Sequence, residues 1–153
     1  MIRLTIPDDT NALITIAQAI GFEPKELEYL SKTLEDYFSS NSKTDNFWIT
    51  DDDNGPVGVG YCEPERMTNQ TWNLLLIAIR PELQGQGRGG KLLRYVEQTL
   101  TTRGGHMLLV ETSGLPEFER TRAFYSKYGY QEEARIRDFY AAGDDKIVFR
   151  KLL

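Results

Sequence analysis

The sequence predicts an α/β (α+β) fold, in which one domain over residues 1–153 holds a mixed sheet with helices on both faces. Three observations support this prediction. Hydrophobic periodicity gives the element order β-α-α-β-β-β-α-β-α-β-β. The most apolar segment, residues 72–79, is typical of a central strand, and a helix joins it to a strand at 107–110, so these two strands should be parallel. A chain of 153 residues, 40% hydrophobic and 27% charged, suits a single core.

The first half of the chain is predicted to contain three strands and two helices. The first helix should begin with Asp8 or Asp9 as its cap, and the second should run from Pro24 to Phe38. A turn signal at residues 51–55 predicts that the strands on either side of it are antiparallel. The strands are predicted at residues 3–6, 47–50 and 57–62, with a loop at 39–42.

The second half is predicted to contain four strands and two helices. A helix should follow the glycine-rich segment at residues 84–90 and end at Gly104, because its apolar residues recur at helical spacing up to that glycine. The other elements are a helix at 118–127 and strands at 72–79, 107–110, 133–140 and 147–152.

Composition argues against several classes of function. The net charge of -5 is unfavourable for sequence-independent nucleic-acid binding, which needs clustered Lys and Arg. Cys62 is the one cysteine, so no intramolecular disulfide can form, and its apolar neighbours predict a buried thiol. His106 is the one histidine and is predicted to lie in a turn or in the core. We therefore expect no nucleic-acid partner and no metal site.

The chain shows no targeting or membrane signal. Arg3 and Pro7 interrupt the N-terminal segment, which does not resemble a signal peptide. No apolar run reaches the roughly 18 residues that a spanning helix requires. We expect a cytoplasmic protein with no membrane partner.

Residues 84–90 fit three glycine-loop patterns at once. They match G-x-G-x-x-G of dinucleotide-binding proteins, most of G-x-x-x-x-G-K-[ST] of nucleotide triphosphatases, and Q/R-x-x-G-x-G/A of acyl-coenzyme A loops. The three patterns share one physical basis, because glycines let the backbone approach an anion and the N–H groups at a helix start point toward it. We expect a phosphate-bearing ligand. The alternative is a plain connection between strand and helix.

The surrounding residues discriminate between these patterns. A triphosphate loop needs Ser or Thr after the lysine to hold magnesium, and Leu92 stands there. The dinucleotide fingerprint begins directly after a strand, whereas residues 81–84 separate the strand from the glycines. Glu111 does lie near the position of a ribose-binding acid, but the remaining elements do not suit a doubly wound sheet. The acyl-coenzyme A hypothesis is favoured.

Two segments resemble the GNAT-type N-acetyltransferases. Residues 77–93, IAIRPELQGQGRGGKLL, look like the family's strand, loop and helix, and residues 121–130, TRAFYSKYGY, resemble its second signature at the last helix. Gln84 stands where the family more often has Arg, and we expect Arg88 to supply the missing charge. Phe118 stands where many members carry Asn.

The resemblance implies a GNAT-like domain that moves an acetyl group from acetyl-coenzyme A, as co-substrate, to a primary amine of a small molecule or peptide, by direct attack in a ternary complex. It implies that the central strand splays from the strand at 107–110 and offers backbone groups to the pantetheine arm and acetyl carbonyl, while the loop holds the pyrophosphate. A homodimer is also an expectation for such a fold. The residues implied to bind the co-substrate are Ile77, Ala78, Ile79, Gln84, Gly85, Gln86, Gly87, Arg88, Gly89 and Gly90.

The transfer requires two proton steps. By resemblance, Tyr125 protonates the leaving thiolate, and a phenol of pKa about 10 suits a thiol of about 8.5. The alternative is that Tyr125 only packs in an aromatic cluster. Glu111 is the proposed acceptor of the amine proton, directly or through water, and Glu63 is the second candidate.

Acceptor specificity is expected in residues 23–37 and in residues 138–140 with 143–145, whose acids would attract an ammonium group. The alternative for 138–145 is a solvated hairpin. A second function to be weighed is a non-catalytic, regulatory acyl-coenzyme A binder of the same fold. A third is a protein-contact module whose exposed patch consists of Phe22, Tyr29, Tyr37 and Phe38.

Overall fold

The computed structural model describes residues 1–39 and 45–153, in which seven strands and four α-helices follow the predicted order. Most of the loop expected at 39–42 lies outside the described residues. The strands are β1 (Ile2–Leu4), β2 (Phe47–Asp52), β3 (Pro56–Pro64), β4 (Thr71–Ile79), β5 (Met107–Ser113), β6 (Gln131–Ala141) and β7 (Asp144–Leu152), and the helices are α1 (Thr10–Ala19), α2 (Pro24–Phe38), α3 (Arg88–Thr102) and α4 (Glu119–Lys127).

The strands form one mixed sheet in the order β1-β2-β3-β4-β5-β7-β6. This sheet and the four helices confirm the predicted α/β class. The pairing of β4 with β5 is parallel and runs from Thr71↔Met107 to Leu74↔Val110, as the connecting helix predicted. The pairing of β2 with β3 is antiparallel, as the turn between them predicted.

The chain divides into two compact units. The first comprises Met1–Glu63 and Leu76–Gln98, and the second comprises Pro64–Leu75 and Thr99–Leu153. Whether the two behave as one domain over residues 1–153 stays a prediction.

The first unit has helices on both faces of its strands. On one face, α1 and α2 pack against alternate residues of β2 and β3, among them Trp48, Val59 and Tyr61. On the other face lies α3, because a Cβ placed on Gly58 would meet the side chains of Ile79 at 2.7 Å and Leu92 at 3.2 Å. Residues of a strand alternate between faces, so Gly58 and Val59 contact different helices. The predicted placement of helices on both faces is confirmed here.

The second unit contains β5, β6, β7 and α4. β5 pairs antiparallel with β7 from Met107↔Leu152 to Ser113↔Lys146, and β7 pairs with β6. β6 is the edge strand, and its residues are exposed along its whole length. Tyr125 of α4 contacts the ring of Phe149 on β7, with 5.8 Å between the ring centroids. This aromatic contact helps to hold the helix on its strands.

Asp9 does not act as the predicted helix cap. Its side chain makes no bond to the first turn of α1, and a 3₁₀ turn over Pro7–Asp9 precedes that helix. The carboxylate is instead buried and accepts hydrogen bonds from the Ile6 backbone N–H at 3.0 Å and from both terminal nitrogens of Arg3 at 2.7 and 3.0 Å. Arg3, 6 residues away, competes successfully for the acid because a bidentate charged pair is stronger than a single cap.

Candidate active site

The glycine loop lies between the end of β4 at Ile79 and the start of α3 at Arg88. Gly85 and Gly87 have φ values of +76° and +83°, in the left-handed region that costs other residues about 1–2 kcal/mol. A Cβ at either position would meet no atom within 4 Å. These glycines are therefore required by backbone conformation, and the space above them is open to a ligand.

The loop leads directly into the first turn of α3. The Lys91 N–H donates to the Gly87 carbonyl at 3.2 Å, so the helical hydrogen bonding begins there. The N–H groups that precede Lys91 in the turn have no carbonyl to bond within the helix. They point outward at the positive end of the helix dipole, which is a favourable environment for a phosphate group.

Gln84 anchors the start of the loop to the strand before it. Its side-chain Nε2 donates to the Ile79 carbonyl oxygen at 3.0 Å. The amide is thus engaged with the end of β4. This is a positioning contact that the sequence pattern, which presents Gln84 as a loop residue near the pyrophosphate, does not reveal.

Arg88 forms ion pairs with two carboxylates at the end of β2. Its Nη1 donates to Asp51 Oδ2 at 2.9 Å and its Nη2 donates to Asp53 Oδ2 at 2.5 Å. Asp51 is buried, and its hydrogen bond is the main reason that the pKa of Arg88 is raised. The structure therefore places Arg88 in a carboxylate network, whereas the sequence analysis expected it to supply a free charge for the pyrophosphate.

The carboxylates of Asp51, Asp52 and Asp53 point to alternating partners. Asp51 and Asp53 bind Arg88, while Asp52 accepts a hydrogen bond from Arg3 at 2.9 Å and one from the Gly55 backbone N–H at 3.0 Å. Sequence reasoning assigned all three to a turn and missed their role. No local pattern reveals this role, because Asp53 lies just after β2 and Arg88 lies 35 and 37 residues away from the two acids.

An open groove of about 660 Å³ in the first unit adjoins this network. Its walls contain acidic and basic side chains and one aromatic ring. They are formed by the N-terminus and β1, by the end of β2, and by the glycine loop together with the first two turns of α3. The lining residues are Met1, Ile2, Asp51, Asp53, Gln86, Arg88, Lys91 and Tyr95.

The end of β4 contributes backbone and apolar side chains to the first unit. Ala78 belongs to the cluster that packs on α1 and α2, and Ile79 lies on the α3 side near Gly58. Ile77 is partly exposed. The roles predicted for these residues toward the pantetheine arm and the acetyl carbonyl stay predictions.

A hydrogen-bonded cluster lies at the far end of β3 in the same unit. The Tyr61 hydroxyl donates to the Glu63 carboxylate, and Asn46 Nδ2 donates to that hydroxyl at 2.9 Å. The Tyr61 ring stacks on Trp48 with centroids 4.2 Å apart. Burial, together with the Glu63 hydrogen bond, raises the pKa of Tyr61, so this phenol holds the candidate base in place as a permanent donor.

Tyr125 lies on α4 in the second unit and is 4% exposed. Its ring contacts Phe124, Tyr130 and Phe149, so the predicted aromatic packing is present. Burial raises the pKa of Tyr125, and the phenol stays protonated at neutral pH. The phenol therefore carries the proton that a donor needs, but its raised pKa also makes it a weaker acid than the sequence analysis assumed. The predicted acid role stays a prediction.

Glu111 lies on β5 in the second unit, with its side chain 41% exposed. Its Oε1 is 3.0 Å from Lys146 Nζ on β7, and that ammonium also lies 4.0 Å from the centroid of the Phe139 ring. The predicted base is therefore a half-exposed carboxylate with a cationic neighbour. Its role in proton transfer stays a prediction.

The region expected to set acceptor specificity is partly structural. Asp145 accepts hydrogen bonds from the Asp138 backbone N–H at 2.9 Å and from Arg135 at 2.5 Å, so it shapes the turn between β6 and β7.

Three members of the suggested protein-contact patch, Phe22, Tyr37 and Phe38, pack against the first unit's core, while Tyr29 is 59% exposed. That arrangement disfavours the patch as an interface.

Other sequence-based expectations can be compared with the described residues. The Cys62 side chain is buried, as predicted. In residues 1–39 and 45–153, no group of three or more His, Cys, Asp and Glu side chains is arranged to hold a metal ion. Over the same ranges, no helix combines the length and apolarity required to cross a membrane.

The family comparison defines the class of protein, which is an acyltransferase. The model of the Acetyltransferase (GNAT) domain matches residues 43–132, more than half of the chain. The chain therefore belongs to the GNAT acetyltransferase family. No curated protein sequence gives a significant match.

Solved structures share this fold over nearly the whole chain. An acetyltransferase of the GNAT family from Desulfovibrio desulfuricans has a TM-score of 0.94 and 29% identity, with 99% of this chain and 98% of that chain covered. An aminoglycoside 6'-N-acetyltransferase complexed with coenzyme A has a TM-score of 0.80 and 15% identity, with coverages of 99% and 96%. The ribosomal-protein-S18-alanine N-acetyltransferase from Escherichia coli has a TM-score of 0.77 and 22% identity, with coverages of 99% and 92%.

Proposed function

We propose that the protein transfers the acetyl group of acetyl-coenzyme A to a primary amine by direct attack in a ternary complex. The observation that carries this proposal is the glycine loop, in which Gly85 and Gly87 adopt left-handed conformations immediately before the first turn of α3. Open space and outward N–H groups at this position suit a pyrophosphate. Family membership supplies the class of chemistry.

In the proposed reaction, the neutral amine attacks the thioester carbonyl, a C–N bond forms and the C–S bond breaks. Backbone N–H groups near Ile77, Ala78 and Ile79 are proposed to stabilise the oxyanion, and losing such a donor typically costs about 10²–10³ in rate. Tyr125 is proposed to give its proton to the leaving thiolate. Coenzyme A and an acetamide are the products.

The amine must lose a proton, and Glu111 is the proposed acceptor, directly or through water. Glu63, held by Tyr61, is the competing candidate. The variants Glu111→Gln and Glu63→Gln separate the two, because the base that acts should lower kcat and remove the acidic limb of the pH–rate profile. A variant that leaves both quantities unchanged excludes its residue from this role.

The acceptor is proposed to be an amine of a small molecule or a peptide. Related folds include an aminoglycoside 6'-N-acetyltransferase and a ribosomal-protein-S18-alanine N-acetyltransferase, which suggests both kinds of amine for a first screen. Release of thiol from acetyl-coenzyme A would be followed with polyamines, amino acids, aminoglycosides and peptides with a free N-terminus.

Calorimetric titration tests the co-substrate directly. Acetyl-coenzyme A and coenzyme A should bind in the micromolar range, and ATP with magnesium and NAD should not. Binding of a nucleotide in place of coenzyme A would overturn the proposal. Coenzyme A binding without turnover of any amine would support the regulatory acyl-coenzyme A binder instead.

A further inference from the structure

Arg88 is the first residue of α3, and its side chain links this helix to the end of β2. Its two terminal nitrogens bind different carboxylates, Asp51 at 2.9 Å and Asp53 at 2.5 Å. The side chain of Asp51 is 6% exposed and that of Arg88 is 22% exposed, so this is a partly buried network. We call Asp51, Asp53 and Arg88 the aspartate clamp.

The geometry of the clamp depends on three features of the sequence. Asp51 lies next to the last residue of β2 and Asp53 just after the strand, and both carboxylates reach Arg88 at the start of α3. The planar guanidinium can bind both at once because its donors form a rigid fork. Gly58, which faces α3, leaves room for the helix to approach.

The loop that precedes α3 is therefore held at both ends. At its start, the Gln84 side chain donates to the Ile79 carbonyl. At its end, the clamp fixes Arg88 to β2. Between these points, Gly85 and Gly87 have no side chain that could restrain the backbone. The direction of the loop N–H groups is accordingly set by the two anchors.

The charges of the clamp do not favour an anion. The guanidinium and the two carboxylates together carry a net charge of −1, and Arg88 already donates to both acids. The Met1 ammonium, 3.8 Å from Asp51 Oδ1, offsets that charge. The network therefore offers a pyrophosphate no excess of positive charge, and the benefit to binding that we infer comes from the position of the loop.

We propose that the aspartate clamp positions the loop for the coenzyme A pyrophosphate, and that Arg88 is a positioning residue rather than a phosphate ligand. This inference rests on the proposed function, since it takes coenzyme A as the ligand of the loop.

The two roles of Arg88 predict opposite signs for the same substitutions. If Arg88 contacts phosphate, Asp51→Asn and Asp53→Asn remove competing acids and should strengthen coenzyme A binding. If the clamp positions the loop, both substitutions should weaken coenzyme A binding, about tenfold for Asp51→Asn, because a released loop has to be ordered on binding and fixing the backbone of one residue costs roughly that factor. Asp53 is half-exposed, so its variant should fold even if that of Asp51 does not.

The experiment is a calorimetric titration of coenzyme A into the wild type, Asp51→Asn, Asp53→Asn and Arg88→Lys at one ionic strength. Glu82→Gln is the matched control, because it also removes one negative charge next to the loop but its partner is the exposed Arg80. Arg88→Lys keeps the charge and loses the fork, so it should bind as weakly as Asp51→Asn. If Arg88 bound phosphate directly, Arg88→Lys should keep most of the affinity for coenzyme A.

S-acetylpantetheine, which lacks the pyrophosphate, separates positioning from a general loss of structure. Its KM as acetyl donor should be the same in the wild type and in the clamp variants. Tighter coenzyme A binding by Asp51→Asn or Asp53→Asn would overturn the proposed role of the clamp. Equal rises in KM for acetyl-coenzyme A and for S-acetylpantetheine would overturn it as well. Failure of the wild type to bind coenzyme A would instead overturn the proposed function.

Discussion

At the scale of single residues, two buried carboxylates of this chain connect different elements. Asp9 and Asp51 are buried, and each binds an arginine from another element, Arg3 and Arg88 respectively. Burying a carboxylate is costly unless it is paired and hydrogen-bonded. Both acids meet that condition, so their removal should affect more than the local turn.

Asp9→Asn should lower the free energy of unfolding by about 3 kcal/mol, because Arg3 and the Ile6 N–H lose a charged acceptor in a partly buried site. Asp8→Asn is the matched control, since Asp8 is the exposed neighbour and should be nearly neutral. Urea titrations of the three proteins would measure the difference. A loss below about 1 kcal/mol for Asp9→Asn would show that the pair contributes little.

The same variant has a defined pH dependence. The hydrogen bonds from Arg3 hold the pKa of Asp9 below its usual 3.8. A carboxyl whose pKa is lowered by folding contributes stability that is complete above the unfolded pKa and is lost as the pH falls through the folded pKa. The stability difference between wild type and Asp9→Asn should therefore be constant near neutral pH and shrink below about pH 4. A difference that grows on acidification would contradict the assignment.

Tyr125→Phe distinguishes an acid from a packing residue. The ring contacts with Tyr130 and Phe149 would be kept, so the melting temperature and the Kd of coenzyme A should change little. Loss of the proton donor should lower kcat about 10²-fold or more. Tyr130→Phe is the control, because it removes a buried hydroxyl from the same aromatic cluster. Equal activities of both variants and the wild type would leave Tyr125 as a packing residue.

At the scale of elements, α3 has a glycine with positive φ at each end. Gly87 precedes the helix at φ +83° and Gly104 follows it at φ +84°. A Cβ placed on either glycine would meet no atom within 4 Å. The two positions impose the same conformational demand. They differ only in their place along the helix dipole, because the first adjoins the N–H groups and the second the carbonyl groups.

Gly87→Ala and Gly104→Ala should therefore cost similar stability, about 1–2 kcal/mol each. Only Gly87→Ala should also weaken coenzyme A binding, since it changes the backbone of the proposed phosphate loop. Thermal melting and calorimetric titration of both variants would test this. If Gly104→Ala weakened binding equally, the loss would reflect the whole helix rather than the loop.

The element scale also shows what the sequence could predict. The order of strands and helices followed from periodicity, and α2 begins at Pro24 and ends at Phe38, as predicted. β2 and β5 run further than predicted, to Asp52 and Ser113, because β2 continues its pairing with β3 and β5 pairs with β7 over polar residues that the apolar pattern did not include. Strand length here is set by the partner strand.

The site was predictable where it is local and not where it is distant. The glycines of the loop carry their own conformational signal, so the loop that we propose to bind phosphate could be located from residues 84–90. The partners of Arg88 lie 35 and 37 residues away, at the end of β2. Nothing in a local pattern distinguishes Asp51 in a turn from Asp51 in a clamp. The contact of Asp51 with Arg88 depends on how α3 packs on the sheet, which a local pattern does not contain.

At the scale of the whole molecule, each compact unit contains one of the two tryptophans. Trp48 lies in the first unit and Trp72 in the second, and both are buried. The variants Trp72→Phe and Trp48→Phe therefore give fluorescence signals from the first and the second unit respectively. These signals address the prediction of a single domain, which neither composition nor length decides.

We expect the fluorescence and far-ultraviolet circular dichroism transitions in urea to coincide within each variant, as one cooperative domain requires. Comparing two probes of the same variant removes the effect of the substitution itself. A fluorescence transition that precedes the circular dichroism transition in one variant would show that its unit unfolds independently.

The three boundaries between the units fall after Glu63 within β3, after Leu75 within β4 and after Gln98 within α3. Each unit is thus assembled from two separate stretches of chain, and no single truncation or proteolytic cut can isolate it. Cleavage at the exposed Met67, for instance, leaves residues of both units on either fragment. A fragment that contains either unit complete also contains residues of the other, so the role of each unit has to be examined by substitution in the intact chain.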